Sequence, residues 1–231
     1  AFITKPGYPI ASFYGYKYIG VFQSEEELAK YPHLSGDKVG DGRYEDVNKD
    51  GVLDQNDKTI LGDNNPLFTA GFSNSFSYKN FTLDIQFTGS YGAEVFSFYK
   101  RMCGIYHGDR NGMIEQLGRW QSKDQPGDGI HFRPTRTPSG WQRDPSSAWV
   151  QDASYLRLRN LTLGYNFDQK VLDKMKMKGL RLYVTGQNLF TITNYVGYDP
   201  ETSSESGLAQ GGDYLGYPAA RSFIIGANIT F

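Results

Sequence analysis

The 231 residues carry 24 basic and 25 acidic side chains, a net charge of -1, with 17 tyrosines, 15 phenylalanines, 27 glycines and one cysteine. Balanced charge without a Lys/Arg run excludes an electrostatic footprint for nucleic acid, and the lone Cys103 excludes an internal disulfide. Mean hydropathy is -0.54 and no apolar run approaches the roughly 18 residues of a membrane helix, but barrel strands bury only alternate residues in lipid, so this aromatic- and glycine-rich composition reads as all-β.

The start, Ala1 to Pro6, has neither a basic segment nor an apolar run, so the expectation is a removed leader or a chain that begins inside something larger. Residues 13–22, with Tyr14, Tyr16 and Tyr18 on one face, predict a strand. Ser24 and Glu27 form a capping-box pattern that opens a short helix through Tyr31, which Pro32 ends.

Within the connection 23–65, Asp46, Asn48, Asp50, Asp54 and Asp57 stand at positions 1, 3, 5, 9 and 12 of a loop, with Gly51 at position 6. That is the spacing of an EF-hand or dockerin calcium loop, except that position 12 is Asp and not Glu. The expected ligands are these five side chains and the Val52 carbonyl, with calcium as the cation and magnesium as the alternative. The competing reading is an Asp/Asn-rich turn closed by its own side-chain to backbone hydrogen bonds.

From Pro66 a period of two runs through Phe68, Ala70, Phe72, Asn74, Phe76 and Tyr78, turns at Lys79-Asn80, and returns through Phe81, Leu83, Ile85 and Phe87. Each arm of this hairpin is long enough to cross a bilayer at a tilt. Residues 92 to 154 read as a long irregular connection, with one helix around 112–120; His107, His131 and Cys103 within it have no metal-ligand spacing. In the strand 155–167 the apolar residues change parity, from Leu156 and Leu158 to Leu161, Leu163, Tyr165 and Phe167, which predicts a β-bulge near Arg159-Asn160. A short amphipathic helix or turn over 168–179, a strand over 180–192 and a Gly/Ser/Asp-rich loop from 194 to 219 lead to the final strand, 221–231. There Phe223, Ile225, Ala227, Ile229 and Phe231 share one face, and only Ile224 breaks the alternation. A strand of this pattern, closed by an aromatic residue, resembles the assembly signal of bacterial outer-membrane barrels.

The expectation is therefore six strands, near 13–22, 66–78, 81–91, 155–167, 180–192 and 221–231, joined by alternately long and short connections. Bacterial barrels combine short periplasmic turns with long external loops, which puts 35–60 and 100–145 outside and Phe231 at the periplasmic rim. The Asp and Glu residues show no paired spacing and no G-x-S-x-G motif occurs, so no enzyme is expected. Exposed aromatics such as Trp120, Trp141, Trp149 and Tyr195 are read as packing loops in preference to stacking on sugar rings.

Several stretches then coincide with one family. Tyr14-Gly15-Tyr16, Asp46 to Gly51, the arm Phe72 to Tyr78, Gly89 to Gly92, Trp149 to Asp152, Tyr155 to Tyr165, Thr185 to Phe190 and Arg221-Ser222-Phe223 with the closing Phe231 resemble the carboxyl-terminal third of SusC/RagA-type TonB-dependent transporters of Bacteroidota. The resemblance implies an antiparallel transmembrane β-barrel segment, about six strands of a 22-stranded barrel with long extracellular loops, in the bacterial outer membrane. It implies partners as well: the remaining barrel and its plug, TonB, outer-membrane lipid, a SusD-like surface lipoprotein as lid, and oligosaccharide or peptide cargo. Plug and TonB-contacting segment are missing from these residues, so the resemblance points to a fragment or one piece of a split transporter. The rival expectation is a soluble, calcium-stabilised carbohydrate-binding or adhesion module, which explains the aromatics and the acidic loop but not the alternation of loop lengths.

Overall fold

The computed structural model describes residues 1–104, 111–134, 145–202 and 206–231. In chain order its strands are β1 (Phe2–Ile3), β2 (Ser12–Gly15), β3 (Tyr18–Val21), β4 (Gly42–Tyr44), β5 (Thr59–Gly62), β6 (Phe68–Tyr78), β7 (Phe81–Tyr91), β8 (Glu94–Ser97), β9 (Val150–Asp152), β10 (Tyr155–Asn166), β11 (Gly179–Thr193), β12 (Gly212–Asp213) and β13 (Ser222–Thr230). The helices are α1 (Glu25–Lys30), α2 (Phe98–Gly104) and α3 (Gln169–Met175). They fall into two compact units, the first built from 1–65, 94–151 and 201–216, the second from 66–93, 152–200 and 217–231.

The first unit corrects three expectations. The strand expected over 13–22 is broken: β2 lies between β1 and β5, whereas β3 pairs with β4. The break falls where the chain changes partner. A Cβ on Gly15 would overlap the Pro145 carbonyl, which lets that carbonyl accept from the Tyr16 N–H at 2.9 Å, while the Ser147 N–H donates to the Tyr16 carbonyl at 3.0 Å and Ser147 Oγ accepts from the Tyr18 N–H at 2.9 Å. Nor are the described residues of 92–154 simply an irregular connection. They supply β8, α2, β9, two 3₁₀ turns and half of a core in which Phe13, Val21, Phe96, Phe132 and Trp149 pack together. The helix expected around 112–120 is a 3₁₀ turn, Ile114–Gly118. Helix α1 is as expected, with Ser24 Oγ accepting from the Glu27 N–H.

Phe13 is fully buried, its ring edge-on to Phe2 at 5.6 Å and to Phe96 at 6.0 Å. Phe13→Ala is expected to cost about 3–5 kcal/mol, the range for emptying a large aromatic site. Faster proteolysis within 1–65 and 94–151 is the readout, and a cleavage pattern identical to the parent's contradicts it. Close to this core the Tyr18 hydroxyl donates to the Ile130 carbonyl. Burial, and then the charge of Asp128, push the Tyr18 phenol well above its ordinary pKa, so it stays a donor. Burial raises the Asp128 carboxyl too, but hydrogen bonds from the His131 N–H, the His131 ring and the Ile130 N–H outweigh it and hold the group below the usual carboxylate range.

The second unit is one antiparallel sheet of five strands in the order β13-β11-β10-β7-β6. That is five long strands where six were expected, because 13–22 belongs to the first unit. The hairpin β6–β7 is joined by Lys79-Asn80, with Lys79 left-handed at φ 51°. The parity change in β10 is resolved as expected: register shifts between Leu158 and Asn160 against both neighbouring strands.

Candidate functional site

Cross-strand register makes the sheet two-faced. Phe76, Leu83, Leu163, Val184 and Ile225 stand opposite one another in turn across all five strands, and so do Tyr78, Phe81, Tyr165, Leu182 and Ala227. A third rung runs Phe72, Phe87, Leu158, Phe190, carried onto this face by the bulge. The alternate rungs are polar: Ser73, Gln86, Asn160, Gln187, Ser222, and Ser75, Asp84, Thr162, Thr185, Ile224, where Ile224 is the one apolar member.

Much of the apolar face is exposed. Phe72 is 56% exposed, Phe76 55%, Val184 49%, Phe223 75%, Ile225 84% and Ile229 49%. Of the expected assembly-signal residues, Phe223, Ile225, Ala227 and Ile229 share this face within β13, and Phe231 follows its last residue. On the polar face the side chains bond to one another: Ser75 Oγ to Asp84 Oδ1, Thr162 Oγ1 to Thr185 Oγ1 at 2.8 Å, Arg181 Nη2 to Thr82 Oγ1 at 3.2 Å and Arg159 Nε to Thr88 Oγ1 at 3.1 Å. A sheet that leaves hydrocarbon bare and satisfies its polar groups on the other side is made for an apolar environment on one face and a wet one on the other.

The two ends of the sheet differ. Lys79-Asn80 and the α3 connection lie at one end, where Asn80 Nδ2 donates to Asp168 Oδ1 at 2.8 Å. The long connections, 92–154 and 194–221, leave from the other.

The acidic loop holds itself closed. Asp46 accepts from the Lys49 N–H at 2.7 Å and the Gly51 N–H at 2.9 Å; Asn48 Oδ1 accepts from the Asp50 N–H, Asp50 Oδ1 from the Val52 N–H and Asp54 Oδ1 from the Asn56 N–H. Asp57 is fully buried, accepting from the Val47 and Asn48 N–H groups on one oxygen and from the Asp54 N–H at 2.8 Å on the other. Leu53, 6% exposed, anchors the loop beside Tyr16 and Tyr44. Among the described residues no three His, Cys, Asp or Glu side chains converge as ligands, so the spacing is present but a gathered carboxylate cage is not. Asp57→Ala removes the acceptor of three partly buried N–H groups, Val47, Asn48 and Asp54, at about 0.5–1.5 kcal/mol for each bond lost. It should open 46–57 to protease, and unchanged resistance there contradicts this account of the turn.

Of the loop aromatics, Trp149 and Tyr195 are buried, at 4% and 6% exposure, and Trp120 packs against Gly40 and the first unit's core, so these three fill loops. Trp141 and His107 lie outside the described residues, and the ring of His131 bonds Asp128 at 2.6 Å. Sequence reasoning missed a buried ion pair, Arg157 with Asp199, for which no spacing signal exists because the partners are 42 residues apart.

The sheet defines the class: five long antiparallel strands with one apolar and one polar face. No family model matches the chain. It is 35% identical over 99% of its length to TonB-dependent receptor P3 of Formosa agariphila, covering 23% of that protein, and 32% identical over 97% to receptor P26 of the same organism, again covering 23%. It is 27% identical over 98% of its length to TonB-dependent receptor SusC of Bacteroides thetaiotaomicron, covering 20%. Its fold is that of 23% of a chain in the structure of the RagAB peptide transporter, at a TM-score of 0.78 and 22% identity over the whole of this chain. Over almost its whole length the chain matches TonB-dependent receptors, SusC among them, and it spans about a quarter of the length of the relatives it matches.

Proposed function

We propose that this chain is a stretch of barrel wall, with its external loops, of an outer-membrane importer that takes up oligosaccharides or oligopeptides using energy relayed through TonB. The exposed apolar face carries the reading. A soluble module covers such a face, and one edge each of β6 and β13 is left unpaired in this sheet, which lipid does not tolerate. The remaining strands of a larger barrel, of 22 strands in the family, meet both needs and surround a plug against the polar face. Support for a SusD-like lipoprotein lid comes from the SusC and RagAB relatives. Phe223, Ile225, Ala227, Ile229 and Phe231 are proposed as the assembly signal, supported by their shared apolar face.

The alternation of short and long connections supports short turns in the periplasm and long connections outside. Labelling of single cysteines in intact cells, with Cys103 first replaced by Ser, tests the orientation. Asn80→Cys should stay unlabelled and Gly36→Cys should react; external reaction at position 80 reverses the topology. Recovery of the whole protein in buffer without detergent would sink the membrane reading and favour the calcium-stabilised soluble module.

The acidic loop is proposed to take one cation, calcium with magnesium as the alternative, through Asp46, Asn48, Asp50, the Val52 carbonyl, Asp54 and Asp57. Spacing and hard oxygen donors support this, and each carboxylate oxygen that accepts one N–H keeps a second lone pair. The cation would fix the shape of the loop. Chelator should then accelerate proteolysis within 40–60, and added calcium should restore protection. An identical cleavage rate with and without chelator leaves the self-closed turn as the whole account.

A further inference from the structure

The apolar face carries a depression. Ala70 stands opposite Gly89 on this face, beside a groove of about 360 Å³ whose rim includes Ser90, Ser154 and Thr193. Phe68 and Tyr91, stacked with ring centroids 5.4 Å apart, form one wall, and Ile192 lies across from them. Asn194, exposed and placed where the long connections leave the sheet, also lines the groove.

We propose that this groove seats one acyl chain of an outer-leaflet lipid, with the polar head group held at Asn194. The inference rests on the membrane reading above. The occupant follows from continuity: the groove is recessed into the same face whose rungs are bare of protein cover, so what covers the rungs also fills the recess. Flat aromatic walls contact successive methylenes, and an aromatic wall beside a polar end is the pattern of the hydrocarbon to head-group boundary. A second protein would need a broad complementary surface, whereas the recess is a single trough.

The test uses the full-length transporter in mild detergent. Native mass spectrometry of the parent should show one lipid retained through detergent exchange, and Ala70→Phe, which fills the trough from an exposed position, should lower that occupancy at least tenfold. Phe76→Trp, on the same face away from the groove, serves as the control for lipid contact through fluorescence quenching by brominated phospholipid. Quenching at 76 without a retained lipid, or with equal retention in Ala70→Phe, overturns the groove and leaves the membrane reading standing. Absence of quenching at 76 overturns both. Retention of a second copy of the chain in place of lipid also overturns the assignment.

Discussion

Phe72→Lys is expected to remove most of the assembled protein from the outer membrane, while Ser73→Lys, one residue along the same strand, leaves the yield nearly unchanged. Phe72 lies near the middle of the 11 residues of β6, on the exposed apolar face and opposite Phe87. A lysine there must sit in hydrocarbon near the bilayer midplane, at a cost of about 2–4 kcal/mol, with the loss of the phenylalanine's own lipid contact in addition. Ser73 belongs to the polar rung with Gln86, where an ammonium group meets water and hydrogen-bonding neighbours. Because the two positions share strand, depth and introduced charge, only the direction in which each side chain points separates them. Equal yields measured by heat-modifiable migration on gels would mean that the apolar face is covered by something other than lipid.

This pair also marks how far the sequence could be read. Alternation over 68–78 and 81–91 assigns the faces without any structure, since one residue of slip would put every phenylalanine of β6 on the wrong side. The parity change between Leu158 and Leu161 revealed a bulge, because two apolar runs of opposite phase must meet one face. What could not be read depends on partners far along the chain. Tyr14, Tyr16 and Tyr18 alternate as well as any barrel strand does, yet the chain leaves one sheet for another at Tyr16, held by a carbonyl and a hydroxyl near 145–147. The core around Phe13, Phe96, Phe132 and Trp149 is built from strands of two to four residues, a 3₁₀ turn and an irregular segment, all too short to show a period. In the acidic loop the spacing was legible, but not that each of these side chains would first be claimed by a backbone N–H two to five residues ahead or, for Asp57, up to ten behind.

Arg157→Met is the second substitution with a large expected effect. Arg157 lies on the polar face of β10 at 3% exposure, its Nη2 against Asp199 Oδ1 and its Nε donating to Thr191 Oγ1 at 2.8 Å. Asp199 in turn accepts from the Ala219 N–H at 3.0 Å on its other oxygen, so one buried ion pair ties β10 to both ends of the 194–221 connection. Removing the guanidinium takes one charged partner from a carboxylate at 12% side-chain exposure, and breaking a buried pair from one side typically costs about 3–5 kcal/mol. The expected result is a lower unfolding temperature in detergent, with the first protease cuts falling between 194 and 221. Arg157→Met combined with Asp199→Asn should recover much of that loss, because the asparagine oxygen still accepts from Ala219 and no charge is left buried. If the double variant is as unstable as the sum of the two single ones, the damage comes from lost packing of the arginine stem and not from the stranded charge, and the ion pair is not what fastens the connection to the sheet.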